Sequence, residues 1–107
     1  MGKGGLFAPP RHKWLADIVS FKNPTKARES VRRLIKGLER GRIGKMKIGE
    51  ERALTILRGI KYAENRAKAA AKKRDLSAKE RREFKKIAEI YDKAYERARK
   101  IYFEKYK

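Results

Sequence analysis

The stretch that decides the fold is residues 77–104, SAKERREFKKIAEIYDKAYERARKIYFE. Its apolar and small residues recur every seven positions in three parallel series. These are Phe84, Tyr91 and Ala98; Ile87, Ala94 and Ile101; and Ala88, Tyr95 and Tyr102. A spacing of seven returns to the same side of an α-helix, so the series form one broad apolar stripe. Ser77 and Glu80 supply the capping box that opens a helix. We predict a helix over about 78–104 with one buried side.

The preceding segment predicts a second long helix, over about 50–73. Acidic Glu50 and Glu51 suit the first turn of a helix, where they complement its dipole. The second half of its apolar stripe consists of small side chains. The members of the stripe are Ala53, Ile56, Leu57, Ile60, Ala63, Ala67, Ala70 and Ala71. Only a short loop separates it from the last helix, which predicts an antiparallel pair. Small residues then face large ones across the pair, as packing requires.

Working outward, Asn23 and Pro24 predict the N-cap and first residue of a third helix, over 24–40, which Gly41 ends. Residues 41–49 contain three glycines and predict a connector with two or three residues of strand. Residues 11–20 predict a short helix with one apolar face. Residues 1–10 hold three glycines and two prolines and predict an extended basic tail. The fold class is therefore all-α, a small helical bundle formed by a single domain over 11–107.

The charge of the chain is strongly unbalanced. Its 107 residues include 32 Lys or Arg and 13 Asp or Glu, a formal net charge of +19. Ten of these cations lie between Lys22 and Lys47, against two acids, Glu29 and Glu39. Such a concentration of like charge opposes the compact state. An external polyanion explains it better than solubility does, and phosphates of a nucleic acid are the natural partner.

Composition excludes several classes of protein. Cysteine is absent, which removes disulfides, thiol catalysis and Cys-type zinc sites. Glutamine is absent as well, and asparagine occurs only at positions 23 and 65, a composition typical of thermophiles. No apolar run approaches the ~20 residues of a membrane span, and the N-terminus lacks the apolar region of a signal peptide. We therefore expect a cytoplasmic protein without a membrane partner.

Candidate nucleic-acid contacts follow from the helical wheels and the N-terminal tail. We predict that phosphates are bound by Lys3, Arg11, His12, Lys13, Lys26, Arg32, Arg33, Lys36, Arg40, Arg42, Lys45, Lys47, Arg58 and Arg66. Arg58 and Arg66 belong to one basic flank of the 50–73 helix, which also carries Arg52, Lys72 and Lys73. Gly59 lies among these residues and would let a partner's backbone approach closely. The cations of the last helix alternate with acids, and this pattern is typical of a solvated surface.

The aromatic residues leave two interpretations open. Trp14 could pack in the core or stack on an unpaired base. Core packing is favoured, because large aromatic side chains are usually buried. Tyr62, Phe103 and Tyr106 lie off the core stripes of their helices. These three side chains could stack on bases, or they could bury against a protein neighbour or against the short N-terminal helix, and the sequence does not choose.

Nothing in the sequence indicates catalysis. His12 is the only histidine, it lies among cations, and a phosphate contact suits it better than acid–base chemistry. The carboxylates stand at helix starts or near lysines, so no pair marks an active site. The glycine-rich stretches 2–5 and 41–45 do not match a P-loop. We expect no cofactor, no metal and no small-molecule substrate.

In overall character the chain resembles the small lineage-specific proteins of archaeal ribosomes. The shared traits are the glycine- and lysine-rich start MGKGGLFAPPRHK, a small basic helical body and the lack of catalytic residues. This resemblance implies ribosomal RNA as the partner, with neighbouring ribosomal proteins as further contacts.

Three hypotheses result. The first is a non-enzymatic RNA-binding protein of the ribosome. The second is an architectural protein that binds double-stranded DNA, in archaeal chromatin or a viral nucleoprotein. The third is a helical interaction module, in which Ile90, Phe103 and Tyr106 contact another protein and the charge serves solubility.

Overall fold

The computed structural model describes residues 13–107 and confirms an all-helical bundle. The elements are α1 (Lys13–Ile18), α2 (Pro24–Arg40), β1 (Arg42–Ile43), β2 (Met46–Lys47), α3 (Glu50–Ala71), α4 (Ala78–Ile101) and a C-terminal π-helical turn (Tyr102–Tyr106). The extended tail predicted for residues 1–10 lies outside the described residues, as does the predicted start of the short helix at 11.

The ends of α2 follow its sequence signals. Asn23 Oδ1 accepts a hydrogen bond from the backbone N–H of Lys26 at 2.8 Å, and Pro24 occupies the first turn. At the other end Gly41 adopts a left-handed φ of 80° and its N–H donates to the Gly37 carbonyl at 2.8 Å. Both predicted caps are confirmed, because each uses groups no further than one helical turn away.

Helices α3 and α4 pack antiparallel and form the centre of the bundle. The capping box predicted at Ser77 and Glu80 is present in both directions. Helix α3 ends at Ala71, two residues earlier than predicted. The guanidinium of Arg81 in α4 donates to the carbonyls of Ala71 and Lys73, at 3.2 and 2.9 Å. These hydrogen bonds satisfy carbonyl groups at the end of α3, so the helix can stop there.

The last helix differs from its predicted course after Ile101. The chain continues as a π-helical turn rather than as α-helix to 104. Within this turn the rings of Tyr102 and Tyr106 stack, 6.4 Å apart. The Tyr106 hydroxyl donates to the Leu38 carbonyl, and Lys105 Nζ donates to the Glu39 carbonyl, each at 2.6 Å. The C-terminus of the chain therefore caps the last turn of α2.

Helix α1 ends at Ile18, two residues before its predicted end at position 20. Its final carbonyl accepts from the Ser30 hydroxyl at 2.6 Å. Ser20, just beyond, both donates to and accepts from the buried Tyr91 hydroxyl, at 3.1 and 2.8 Å. The side chains of Ser30 and Tyr91 thus form hydrogen bonds with backbone groups that a longer helix would pair within itself. These bonds also connect the end of α1 and the residues after it to α2 and α4.

The connector 41–49 contains strand, as predicted, but it forms a β-hairpin of two two-residue strands rather than a single run of two or three residues. Strands β1 and β2 are antiparallel and pair Arg42 with Lys47 and Ile43 with Met46. Gly44 has a φ of +59° at the first position of the turn. A type II′ turn requires a positive φ at this position, and glycine adopts it without strain.

Candidate nucleic-acid interface

The outer side of α2 carries six exposed cations. The helix buries one side, from Ala27 through Leu34 to Leu38, so its opposite side faces solvent. The exposed cations there are Lys26, Arg28, Arg32, Arg33, Lys36 and Arg40. Five of them are predicted from the sequence. Arg28 is the sixth, and its position one turn before Arg32 would have indicated it.

The two acids of this segment leave most of that charge unbalanced. Glu29 Oε1 lies 3.5 Å from Lys26 Nζ. Glu39 Oε2 accepts from Arg97 Nη2 of α4 at 3.0 Å. Among residues 13–107, Lys26 is therefore the only cation between positions 22 and 47 that forms an ion pair. The positive charge of this segment is available to an external anion.

The hairpin continues the cationic surface. Residues directly opposite each other in an antiparallel pair project to the same face. Ile43 and Met46 are half-buried and pack on the core, whereas Arg42 and Lys47 are exposed. Lys45, in the turn, is exposed as well. Like charges placed opposite each other destabilise a strand pair, so the hairpin holds two cations together at a cost to folding.

Arg52 extends this pair into α3. Its Nη1 donates to the Lys47 carbonyl at 2.9 Å, which places the guanidinium beside the hairpin. The sequence places Arg52 on the basic flank of this helix, and it was not one of the predicted phosphate contacts. Its position beside the hairpin was not predicted, because the sequence gives no sign that the first turn of α3 returns to the second strand. The structure thus brings a third cation to Arg42 and Lys47.

Gly37 explains why the hairpin lies against α2. A Cβ atom built on Gly37 would stand 2.8 Å from Ile43 Cδ1, closer still to Ile43 Cγ1, and 3.4 Å from the Arg42 carbonyl. Only a residue without a side chain lets the hairpin approach the helix so closely. Glycine at this buried position therefore makes the cations of α2 and those of the hairpin one continuous surface.

We call this surface the α2–hairpin face. It consists of Lys26, Arg28, Arg32, Arg33, Lys36, Arg40, Arg42, Lys45, Lys47 and Arg52. Eight of its ten residues are predicted contacts.

Arg58 and Arg66 are predicted contacts that lie elsewhere. Both are exposed, but they line different cavities. Arg58 lines a groove between α3 and the end of α4. Arg66 lines a separate cavity of about 310 Å³, together with Phe21 and Phe84. Gly59, expected to face a partner on the same flank, is buried. That expectation is wrong, because the buried side of α3 includes Gly59 and Glu64 in addition to residues of the predicted apolar stripe.

The N-terminal candidates are only partly described. Lys13 is exposed at the start of α1. Trp14 is half-buried and packs against the core cluster, which agrees with the core interpretation. Lys3, Arg11 and His12 lie outside the described residues, so their predicted contacts stay predictions.

A second cationic groove, which the sequence did not reveal, lies beside the start of α2. Its volume is about 410 Å³, and it is bordered by Arg28, Lys79, Arg82 and Lys86, with Glu83 as its acid. The cations come from α2 and from the first turns of α4. Their sequence separation of about fifty residues explains why no linear pattern shows the group.

The off-stripe aromatics separate into two environments. Tyr62 is 49% exposed and Phe103 is 51% exposed, and both line the groove that contains Arg58. Tyr106 is half-buried and donates to the α2 carbonyl described above. Tyr106 is therefore a structural residue, and the surface aromatics converge on one groove.

One carboxylate is buried in α3. Glu64 is 1% exposed and pairs with Lys68 at 2.8 Å and with Lys61 at 3.2 Å. Burial raises the pKa of this carboxyl, but the hydrogen bonds and charges of the two lysines outweigh burial, so its pKa lies below the ordinary 4.5. Glu64 is thus an ionised structural residue.

Residues 13–107 contain no cluster of three or more His, Asp or Glu side chains that could hold a metal ion. None of the helices in this range combines the length and apolarity that crossing a bilayer requires.

Comparisons with protein-family models, curated proteins and solved structures find no match to this chain.

Proposed function

We propose that this protein is a non-enzymatic RNA-binding protein whose α2–hairpin face lies along the RNA backbone. Ribosomal RNA is the partner that the resemblance to small archaeal ribosomal proteins favours. In this proposal the cations replace counterions condensed on the phosphates, and their release drives binding. Phosphate contacts position a protein without reading bases, so this face would set affinity and orientation rather than sequence preference.

The observation that carries the proposal is the unbalanced charge of the α2–hairpin face. Within residues 13–107, a single ion pair serves the cations of positions 22–47. Arg42 and Lys47 stand opposite each other and Arg52 joins them. A chain that needed charge only for solubility could intersperse acids, as α4 does with Glu89 and Glu96. A surface that instead keeps its cations together is suited to a polyanion.

The test uses two variants of equal charge. The first variant replaces four cations of α2 with Gln, namely Arg32, Arg33, Lys36 and Arg40. The control variant replaces four lysines outside the α2–hairpin face with Gln, namely Lys72, Lys85, Lys93 and Lys100. Glutamine keeps helix propensity near that of Lys and Arg. We expect the first variant to bind structured RNA at least about tenfold more weakly, with a slope of log K against log salt shallower by about 3. The control should lose much less. Equal losses in the two variants would contradict the proposed interface.

Competition distinguishes RNA from double-stranded DNA. A structured RNA should displace the protein from a DNA duplex of the same length at equal phosphate concentration. An equal or reversed preference would favour the architectural DNA-binding alternative. For the ribosomal assignment, the native protein should sediment with ribosomal subunits at low salt and dissociate as the salt is raised. Sedimentation near the top of the gradient at low salt would reject it.

A further inference from the structure

The groove between α3 and the end of α4 has a composition unlike the rest of the surface. Its volume is about 450 Å³, within the range of about 300–1,000 Å³ typical of ligand pockets. Helix α3 contributes Arg58, Tyr62 and Asn65, α4 contributes Tyr95 and Arg99, and the π-helical turn contributes Phe103. No Asp or Glu is among the described residues that line it.

Two aromatic side chains of the groove are exposed to solvent rather than buried. Tyr62 and Phe103 each leave about half of their surface in solvent, and they are the large apolar side chains of residues 13–107 that do so. Tyr95 is half-buried beside them. Leaving aromatic surface in water forfeits burial energy, so two such residues at one groove indicate an occupant with a flat apolar face.

Cations stand over these rings. Arg99 Cζ lies 5.6 Å from the centroid of Phe103, and Lys107 Nζ lies at the same distance from that ring. Lys61 Nζ lies 5.1 Å from the centroid of Tyr95, although Glu64 already pairs with this lysine. Arg58 and Arg99 form no ion pair within the described residues. The edge of the groove is therefore positive, and its occupant should carry negative charge next to its flat face.

A nucleotide of a single strand has both properties. Its base offers a π-face that stacks on Tyr or Phe, and its phosphate pairs with Arg. Asn65 adds an amide that can reach the edge of a base. A purely apolar protein segment would leave the guanidinium groups without a counter-charge, so charge complementarity selects the nucleotide.

The groove lies at the same end of the molecule as the hairpin. Phe103 lines the groove, and three residues later Tyr106 donates to the Leu38 carbonyl at the end of α2. The hairpin follows α2 directly, and the residues of α3 that line the groove begin shortly after it. A strand that leaves the phosphate contacts of the hairpin can thus continue toward the groove.

We propose that this groove binds unpaired RNA bases by stacking them on Tyr62 and Phe103, with Arg58 and Arg99 on the adjacent phosphates. The inference rests on the proposed RNA-binding function and adds its substrate class, which is RNA with a bulge, loop or single-stranded segment. The α2–hairpin face then supplies affinity without base contacts, and the groove supplies the preference for unpaired bases.

Two RNA hairpins of equal length test the inference, one fully paired and one with a bulge of unpaired adenines. Binding is measured at about 0.2 M salt, where surface charge is largely screened. The wild type should prefer the bulged RNA by at least about fivefold, since stacking on an aromatic ring is worth about 1–3 kcal/mol per base. Changing Tyr62→Leu and Phe103→Leu together should abolish this preference and leave the affinity for the paired RNA unchanged. Leucine retains apolar packing and helix propensity.

Ring-preserving substitutions are the control. The variant with Tyr62→Phe and Phe103→Tyr should keep the preference. Equal wild-type affinities for the two RNAs, or a preference that survives the leucine substitutions, would overturn the inference while leaving RNA binding intact. Failure of the proposed function differs from this, because then neither RNA binds, or the four glutamine substitutions on α2 have no effect on either RNA.

Discussion

At the scale of single residues, the hairpin shows a conflict between folding and binding. Arg42 and Lys47 occupy paired positions on one exposed face of β1 and β2. Opposite-charge pairs contribute to the stability of a ladder and like charges oppose it. The two cations therefore indicate that something other than stability determined these positions.

Removing one of them should stabilise the free protein. We expect Lys47→Gln to raise the free energy of unfolding by about 0.5 kcal/mol, because it relieves the repulsion from Arg42. Lys45→Gln, in the turn and not opposite another cation, is the matched control and should leave stability unchanged. Both variants should weaken RNA binding to a similar degree. Urea denaturation supplies the stabilities; an unchanged or lowered value for Lys47→Gln would show that the pair does not repel.

Glu64 gives a residue-level prediction for pH. Its pKa in the folded state is below 4.5, so the ionised form favours folding. That contribution is complete above the ordinary pKa of 4.5 and is lost as the pH falls through the lowered value. At pH 7 we expect Glu64→Gln to lower the free energy of unfolding by about 1 kcal/mol, and the difference from wild type should shrink in acid.

The control for this prediction is Glu89→Gln, since Glu89 is exposed and forms no ion pair within residues 13–107. It should differ little from wild type at either pH. A Glu64→Gln deficit that persists unchanged at pH 3 would mean that packing rather than charge explains the loss.

At the scale of elements, the relation between α2 and the hairpin depends on Gly37. Alanine is about 1 kcal/mol better than glycine in a helix interior. At this site, however, its methyl group would collide with Ile43, and overpacking costs about 1–3 kcal/mol. The steric term should prevail over propensity.

We therefore expect Gly37→Ala to lower the free energy of unfolding by about 1 kcal/mol. In a protein that already carries Ile43→Ala, the same substitution should raise it by about 1 kcal/mol, since the obstructing side chain is gone. A double-mutant cycle with thermal or urea denaturation measures this change of sign. Additive effects would show that the hairpin does not lie against Gly37 in solution.

At the scale of the whole molecule, a net charge of +19 opposes the compact state. Salt screens this repulsion, since the Debye length falls from about 20 Å near 20 mM to less than 10 Å at physiological ionic strength. We expect the melting temperature of the RNA-free protein to rise between about 20 and 300 mM NaCl. The four-glutamine variant of α2 should show a smaller rise. A melting temperature that stays level or falls with salt would indicate that favourable ion pairs outweigh the repulsion.

Local signals in the sequence sufficed for both ends of α2 and for the starts of α3 and α4, whereas the predicted ends of α1, α3 and α4 were two or three residues too late. Asn23 and Gly41 mark the ends of α2, and Ser77 with Glu80 marks the start of α4, because caps act within one helical turn. The seven-residue series of α4 identified its buried side. The turn after Ile101 escaped this reasoning, since its geometry depends on contacts with the carbonyls of α2, more than sixty residues away in sequence.

The sequence by itself therefore determined that the protein is helical and where its charge is concentrated. Only the tertiary structure decided how that charge is arranged. It assigned Arg58 and Arg66 to different cavities, brought Arg52 to the hairpin, paired Glu39 with Arg97, and gathered Tyr62 and Phe103 in one groove. Helical periodicity specifies which residues share a side of one helix. Which sides of different helices meet depends on packing between residues far apart in the chain, and no local spacing encodes it.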